Sequence, residues 1–160
     1  MVGGGPAGGK TGVRWWAALH AGVKKGKERL VISMESKPWV IGQRMLAMQA
    51  KLPFKGIKDA ALSTKQKKQM KGVRTHLSGA KVPFHVVDGN LTASVSDLYA
   101  LVRQLKPDLV VADGGYLFTH PTERDRYKRV AENTSLIKQQ ICGLAPTLVS
   151  WQFARPPTPA

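Results

Sequence analysis

The sequence predicts an α/β fold with a mainly parallel sheet flanked by helices, and three observations lead to this prediction. Short apolar runs rich in β-branched residues alternate with longer helical segments, which is the pattern of β-α-β units. A glycine-rich segment precedes the first predicted helix. Polar side chains stand at the ends of three predicted strands, and parallel sheets bind their ligands at that edge. The length of 160 residues is enough for one domain with its own core.

Apolar runs locate the strands, and proline and serine signals locate the helices. Pro38 suits the first turn of a helix, Ser94 or Ser96 can cap another, and Pro107 ends that one. The predicted strands cover residues 30–34, 83–87, 109–112 and 147–151. The predicted helices cover residues 12–23, 38–50, 64–76, 94–105 and 121–144, with a loop or broken helix over residues 51–63. We expect one domain at residues 1–155 and an irregular Pro-rich tail at residues 156–160.

The glycine-rich segment has the residue types and spacing of a phosphate-binding loop, G-x-x-x-x-G-K-[ST]. Glycines let successive backbone N–H groups point inward around an anion, and the following helix adds the positive end of its dipole. In this interpretation Lys10 reaches the β- and γ-phosphates of a nucleotide, and the Thr11 hydroxyl ligates Mg²⁺. The alternative is a flexible segment that happens to end in Lys-Thr. The predicted nucleotide-binding residues are Gly4, Gly5, Pro6, Ala7, Gly8, Gly9, Lys10 and Thr11.

The polar residues at the strand ends have the chemistry that a nucleotide-hydrolysing site needs. If the strands are parallel, Glu35, Asp113 and Gln152 converge on the edge that carries the glycine-rich loop. Asp113 can hold Mg²⁺, Glu35 can orient and polarise the attacking water, and Gln152 can contact the γ-phosphate. The alternatives are a capping aspartate, an exposed glutamate before a helix and an ordinary polar strand end.

A surplus of positive charge points to a polyanionic partner, and nucleic acid is the first candidate. Lys and Arg number 25 against 10 Asp and Glu, which gives a formal net charge of +15. Between Lys51 and Lys81 Asp59 alone opposes seven cations, which are Lys55, Lys58, Lys65, Lys67, Lys68, Lys71 and Arg74. A second cluster contains Arg124, Arg126, Lys128 and Arg129. Either cluster taken alone could equally be a solvated surface.

Several other classes of protein are excluded by composition. Cys142 is the only cysteine, so a disulfide framework is excluded and a reduced intracellular setting is expected. No apolar run approaches the roughly 20 residues that span a bilayer, so we expect a soluble, cytoplasmic protein without a membrane partner. The four histidines show no spacing typical of a zinc site, and no Ser-His-Asp arrangement is visible.

The order of these motifs resembles the ATPase domain of replicative hexameric DNA helicases of the DnaB type, within the RecA-like P-loop superfamily. The resemblance runs from Gly4 to Arg155. It rests on the glycine-rich loop and on segments similar to the family's Ser-Leu-Glu-Met strand end, its Gln/x-Arg-Leu-Leu-Ala helix, its Ile-Asp-Tyr-Leu-Gln-Leu strand end and its Leu-Ser-Gln-Leu-Asn-Arg strand. In this sequence those segments are residues 31–36, 43–47, 109–118 and 149–155.

The resemblance implies an ATP-dependent helicase core that acts on single-stranded DNA in replication. Lys10, Thr11 and Asp113 would bind Mg-ATP, Glu35 would be the catalytic base, and Gln152 would couple the γ-phosphate to DNA. The segment 119–129 falls where the family has a loop facing the central channel, and Arg155 opens a second such segment. The implied DNA-binding residues are therefore Arg124, Arg126, Lys128, Arg129 and Arg155. A hexameric ring and a primase or helicase-loader partner are also implied.

The sequence departs from the family in ways that keep other functions open. Only Met1, Val2 and Gly3 precede the loop, so we expect the family's strand at this position to be missing and the RecA-like core to be partial. The segments that follow the Gln152 strand in the family are also expected to be missing. Two alternatives therefore stand beside the helicase: a RecA-like recombinase or DNA-stimulated ATPase, and a basic DNA-binding remnant that does not hydrolyse ATP.

Overall fold

Five parallel strands form a single sheet in the computed structural model, which describes residues 2–4, 10–79, 82–91 and 93–152. Their spatial order is β1-β5-β4-β2-β3, and every neighbouring pair is parallel. The strands are β1 (Val2–Gly4), β2 (Arg29–Ser33), β3 (Phe84–Asp88), β4 (Leu109–Asp113) and β5 (Thr147–Gln152). The predicted α/β fold with a mainly parallel sheet is therefore confirmed.

Six α-helices connect the strands of the described ranges. They are α1 (Lys10–Leu19), α2 (Pro38–Gln49), α3 (Phe54–Lys58), α4 (Thr64–Ser78), α5 (Val95–Leu105) and α6 (Arg126–Leu136). Single π-helical turns extend α1 over His20–Lys24 and α6 over Ile137–Ile141. Capping boxes start α4 at Ser63 and α5 at Ser94, as the residue types at those positions favour.

Two hydrophobic clusters lie on opposite faces of the sheet because successive side chains of a strand point to opposite sides. Leu30 and Ile32 of β2 pack in the cluster that contains the apolar faces of α5 and the end of α6. Val31, between them, packs in the other cluster with the apolar side chains of α1 and α2. The layers are therefore α1 and α2, the sheet, and α5 and α6, with both faces of the central strands buried.

The expectation that the strand before the glycine-rich loop is missing was wrong. Val2–Gly4 forms β1, which pairs in parallel with β5 and places Gly4 opposite Gln152. A three-residue Val-Gly-Gly segment carries no apolar run that sequence patterning could detect. Its strand conformation depends on backbone hydrogen bonds to β5, a tertiary contact that local propensity does not encode.

The helices differ from the sequence prediction at some of their ends. The last helix begins at Arg126 and not at residue 121, because Asp125 caps it by accepting a hydrogen bond from the Lys128 N–H at 2.9 Å. The first helix begins at Lys10, two residues earlier than predicted. The segment predicted as a loop or broken helix contains α3, where the Arg44 guanidinium lies 4.9 Å from the centroid of the Phe54 ring.

Candidate nucleotide site

The carboxyl ends of the strands form one edge, and the sequence-predicted polar residues meet there. Register places Gly4 opposite Gln152, and Ser33 lies between Asp113 on one side and Asp88 on the other. The α1 helix begins at Lys10, immediately after the glycine-rich loop. For Gly4, Lys10, Thr11 and Gln152 the structure describes the backbone position. The predicted loop residues Gly5, Pro6, Ala7, Gly8 and Gly9 lie outside the described residues, as do Arg155 and the tail at 156–160.

Asp113 is the buried acid at the centre of this edge. It is the last residue of β4, and only 1% of its surface is exposed. The Ser150 hydroxyl donates a hydrogen bond to its Oδ1 at 3.1 Å and accepts one from the Gly114 N–H at 3.0 Å. Ser150 therefore links β5 to the turn that follows β4 and fixes the orientation of the Asp113 carboxylate.

Glu35 lies next to this turn, two residues after the end of β2, and its side chain is exposed. Gly114 has a left-handed backbone with φ of 83°, and a Cβ atom there would lie 3.0 Å from Glu35 Cγ. The Tyr116 hydroxyl donates a hydrogen bond to the Glu35 carboxylate. Burial of the phenol is the largest cause that raises the pKa of Tyr116 above its usual value, and the hydrogen bond to Glu35 is the next. The hydroxyl therefore remains a donor at neutral pH.

The predicted basic segment begins close to the Glu35 side chain. Arg126, the first residue of α6, has its guanidinium carbon 5.5 Å from the centroid of the Tyr116 ring. A chain of contacts thus runs from Glu35 through Tyr116 to Arg126. Of the cations that the sequence resemblance identifies in this segment, Arg124, Arg126 and Lys128 are exposed and Arg129 is half-buried.

Hydrogen bonds give the loop between Thr119 and α6 a defined conformation. The Thr119 N–H donates to the Ala93 carbonyl at 2.8 Å, and Asn133 Nδ2 donates to the Phe118 carbonyl at 3.0 Å. His120 Nδ1 accepts a hydrogen bond from the Glu123 N–H at 3.1 Å. These bonds hold the loop against α5 and α6, so the basic side chains that follow it start from a fixed backbone.

Sequence reasoning missed two residues that shape this edge, Ser150 and Tyr116. The signal for Ser150 lies in the register, because Ala112 pairs with Val149 and the following residues, Asp113 and Ser150, are then adjacent. Tyr116 follows a Gly-Gly pair in a short 3₁₀ turn, and no sequence pattern indicates that its hydroxyl meets Glu35.

Two other kinds of feature are absent from the described part of the chain. No three His, Cys, Asp or Glu side chains converge there in a way that could hold a metal ion by themselves. None of the helices with described residues combines the length and apolar character needed to cross a bilayer.

The strand order and the helix that begins at the glycine-rich loop define the class of this protein, which is the RecA-like α/β fold of helicase ATPase domains. The chain belongs to the DnaB-like helicase C-terminal domain family, whose model matches residues 1–153. The sequence-based identification of the family is therefore confirmed. No curated protein sequence matches the chain significantly.

Solved structures with the same fold cover nearly the whole chain. A DnaB-like replicative helicase, described together with its interactions with primase, matches with a TM-score of 0.80 and 16% identity over 96% of this chain and 38% of its own. A second solved structure, an ATPase domain, matches with a TM-score of 0.77 and 16% identity over 96% of this chain and 56% of its own. A KaiC-like protein, PH0186 from Pyrococcus horikoshii, matches with a TM-score of 0.58 and 15% identity over 94% of this chain and 61% of its own. The chain thus spans roughly two fifths to three fifths of these proteins.

Proposed function

We propose that the chain is the motor core of an ATP-dependent DNA helicase that acts on single-stranded DNA during replication. The observation that carries this proposal is the shared edge, where β1 and the start of α1 flank the loop and where Asp113 and Glu35 lie one strand apart. Membership of the DnaB-like helicase family supports the same activity.

The residues at the edge suit the binding of Mg-ATP. The sequence of residues 4–11 has the pattern of a phosphate-binding loop, and the start of α1 offers the positive end of a helix dipole to an anion. Lys10 adds a positive charge for the β- and γ-phosphates. The Asp113 carboxylate and the Thr11 hydroxyl are oxygen donors of the type that Mg²⁺ prefers. Ser150 holds the Asp113 carboxylate in one orientation. When bound, Mg²⁺ neutralises charge on the phosphate oxygens.

Glu35 is the proposed catalytic base, and Tyr116 is a positioning residue. A carboxylate oxygen that accepts the Tyr116 proton in a hydrogen bond is restricted in rotation, while the other oxygen can orient a water molecule. Glycine at position 114 leaves room for this side chain, since a Cβ atom there would lie 3.0 Å from Glu35 Cγ. Gln152, at the end of β5 beside Gly4, is proposed to contact the γ-phosphate.

DNA is proposed to contact the basic side chains at the start of α6. Arg124, Arg126 and Lys128 are exposed and follow a loop of fixed conformation. Because Arg126 also packs over Tyr116, a strand held at Arg126 would be linked through that side chain to the positioning residue of the proposed base. Arg129 and Arg155 complete the proposed set. Such a core is proposed to act as a homo-hexameric ring and to engage a primase or loader.

Two measurements separate hydrolysis from binding. A fluorescent ATP analogue with Mg²⁺ is expected to bind the chain, and Lys10→Ala is expected to abolish that binding because the phosphates lose their cation. Glu35→Gln is expected to keep analogue binding and to lose DNA-stimulated turnover, since an amide cannot accept the proton of the attacking water. Retained turnover in Glu35→Gln would remove Glu35 from the mechanism.

The outcome also discriminates the two alternatives. A DNA-binding remnant would show no analogue binding in either protein and DNA affinity that Lys10→Ala leaves unchanged. A recombinase would bind and hydrolyse ATP but assemble on single-stranded DNA as an open filament, which electron microscopy distinguishes from a closed ring.

A further inference from the structure

We propose that α4 carries a second nucleic-acid surface, which binds the phosphate backbone of duplex DNA and is separate from the basic segment at α6. The surface, called here the α4 basic face, consists of five exposed cations on one side of this helix. They are Lys65, Lys67, Lys68, Lys71 and Arg74.

Helical geometry gathers these cations on one side. The half-buried residues of α4 recur at spacings of four, three and four residues, which defines one face of an α-helix. These residues are Gln66, Met70, Val73 and Leu77. At about 100° per residue the five cations all fall within one arc of about 180° that is centred on the opposite side of the helix. From Lys65 to Arg74 they extend over about 13.5 Å, which is nine rises of about 1.5 Å each.

The charge of this face is not neutralised within the described ranges. The α4 sequence contains no Asp or Glu, and none of the ion pairs of the described residues involves an α4 cation. Asp59, just before the helix, is the only carboxylate between Lys51 and Lys81. Duplex DNA carries one negative charge per about 1.7 Å of axis, so the same length of duplex presents about eight phosphates to five cations.

The composition of α4 favours duplex DNA over a single strand. Proteins that hold single strands without sequence preference stack the bases on aromatic side chains. The α4 helix has no aromatic residue of the Phe, Tyr or Trp type, and its exposed side chains are those that contact phosphates. The helix is also held against the end of α2, because Gln69 Nε2 donates a hydrogen bond to the Ala50 carbonyl at 2.7 Å.

The α4 basic face and the α6 segment lie on opposite sides of the sheet. The α4 helix is anchored to the end of α2, whose apolar side chains pack in the same cluster as those of α1. The α6 helix continues into the cluster on the other face, which contains Ile137 and Ile141. A duplex on α4 therefore does not compete for the residues proposed to hold the single strand.

The test compares two variants that remove the same charge from different places. Lys67→Gln/Lys68→Gln/Lys71→Gln removes three cations from the α4 basic face, and Lys25→Gln/Arg103→Gln/Lys138→Gln removes three exposed cations from elsewhere. Both lower the formal net charge from +15 to +12 (15 minus 3). Glutamine has nearly the helix propensity of lysine, so α4 is expected to stay folded, which far-UV circular dichroism and Tm check.

Binding of a labelled 20-base-pair duplex is measured by fluorescence anisotropy between 50 and 200 mM KCl, without nucleotide. Loss of three phosphate contacts is expected to reduce the slope of log K against log[salt] by about 2.7 and to weaken binding at 0.1 M salt by up to roughly 500-fold. The control variant is expected to change the slope by less than about 0.9, which is the change that corresponds to one phosphate contact. Arg124→Gln/Arg126→Gln/Lys128→Gln is expected to keep duplex binding and to weaken binding of a single strand.

Three results would overturn the proposal. Equal losses in the α4 variant and the control variant would mean that net charge alone attracts the duplex. Unchanged duplex binding in the α4 variant would mean that this face is only solvated. A loss of single-strand binding without a loss of duplex binding would assign the face to the other form of DNA. Because no nucleotide is present, none of these results depends on ATP hydrolysis.

Discussion

Ser150→Ala is expected to destabilise the fold by about 2.5–6 kcal/mol, which is a large share of the roughly 5–15 kcal/mol that holds a typical domain folded. The substitution removes a donor to the buried Asp113 carboxylate, and a hydrogen bond to a charged group contributes about 1.5–3 kcal/mol. It also deprives the buried Gly114 N–H of its acceptor, and an unsatisfied buried group costs about 1–3 kcal/mol. For a chain of this length each kcal/mol lowers Tm by about 2–4 °C, so a decrease of at least about 5 °C is expected.

Urea unfolding and thermal scans of the purified variant measure this effect. The matched control is Ser135→Ala, since Ser135 is exposed on α6 and only accepts a hydrogen bond from the Gln139 side chain at 3.1 Å. That control is expected to stay within about 0.5 kcal/mol of the parent chain. Equal Tm values for the two variants would refute the structural role given to Ser150, and with it the account of how the Asp113 carboxylate is oriented.

Two further predictions concern backbone conformation and pH. Gly114→Ala is expected to lower the free energy of unfolding by about 1–2 kcal/mol, because φ of 83° disfavours a Cβ atom. Gly72→Ala, which has open space around it in the middle of α4, is expected to raise the free energy of unfolding by about 0.5–1 kcal/mol. Chemical denaturation that shifted the free energy of unfolding in the same direction for both variants would contradict this reasoning. Hydrogen bonds from Ser94, first from its hydroxyl and then from its N–H, lower the pKa of Asp97, so its contribution to stability is present above about pH 3.8 and is lost as the pH falls through its lower folded-state pKa. Asp97→Asn should therefore lower Tm at pH 7 and have a smaller effect at pH 2, and a pH-independent difference would contradict the linkage.

The central strands were predictable because they are buried on both faces. Such strands are continuous apolar runs, and the runs that include Val31 and Val111 mark β2 and β4 to within a residue or two. The polar residues at their ends were predictable for the same reason, since a buried apolar run ends where the chain leaves the sheet. Glu35 and Asp113 thus follow from hydrophobic pattern and the parallel arrangement alone.

The features that the sequence did not reveal depend on contacts between distant segments. The β1 strand exists because β5 pairs with it, and α3 is a five-residue helix beside Arg44, whose guanidinium lies over the Phe54 ring. The contact between Tyr116 and Glu35 joins residues 81 positions apart (116 minus 35). Periodicity and capping signals act over a few residues, so they carry no information on such pairs.

Arg29 joins α1 to β2 at the edge of the sheet opposite the one that carries Ser33 and Asp113. It is the first residue of β2, 4% exposed, and burial lowers the pKa of its guanidinium. Its Nη1 donates to the Ala18 carbonyl at 3.3 Å, and its side chain fills the space that a Cβ atom on Gly22 would need. The carboxyl-terminal end of α1 is thereby bonded to the beginning of β2, the strand that leads to Glu35. The helix that begins at Lys10 and the strand that ends at Ser33 are therefore joined, at the edge of the sheet away from those two residues, by one buried side chain.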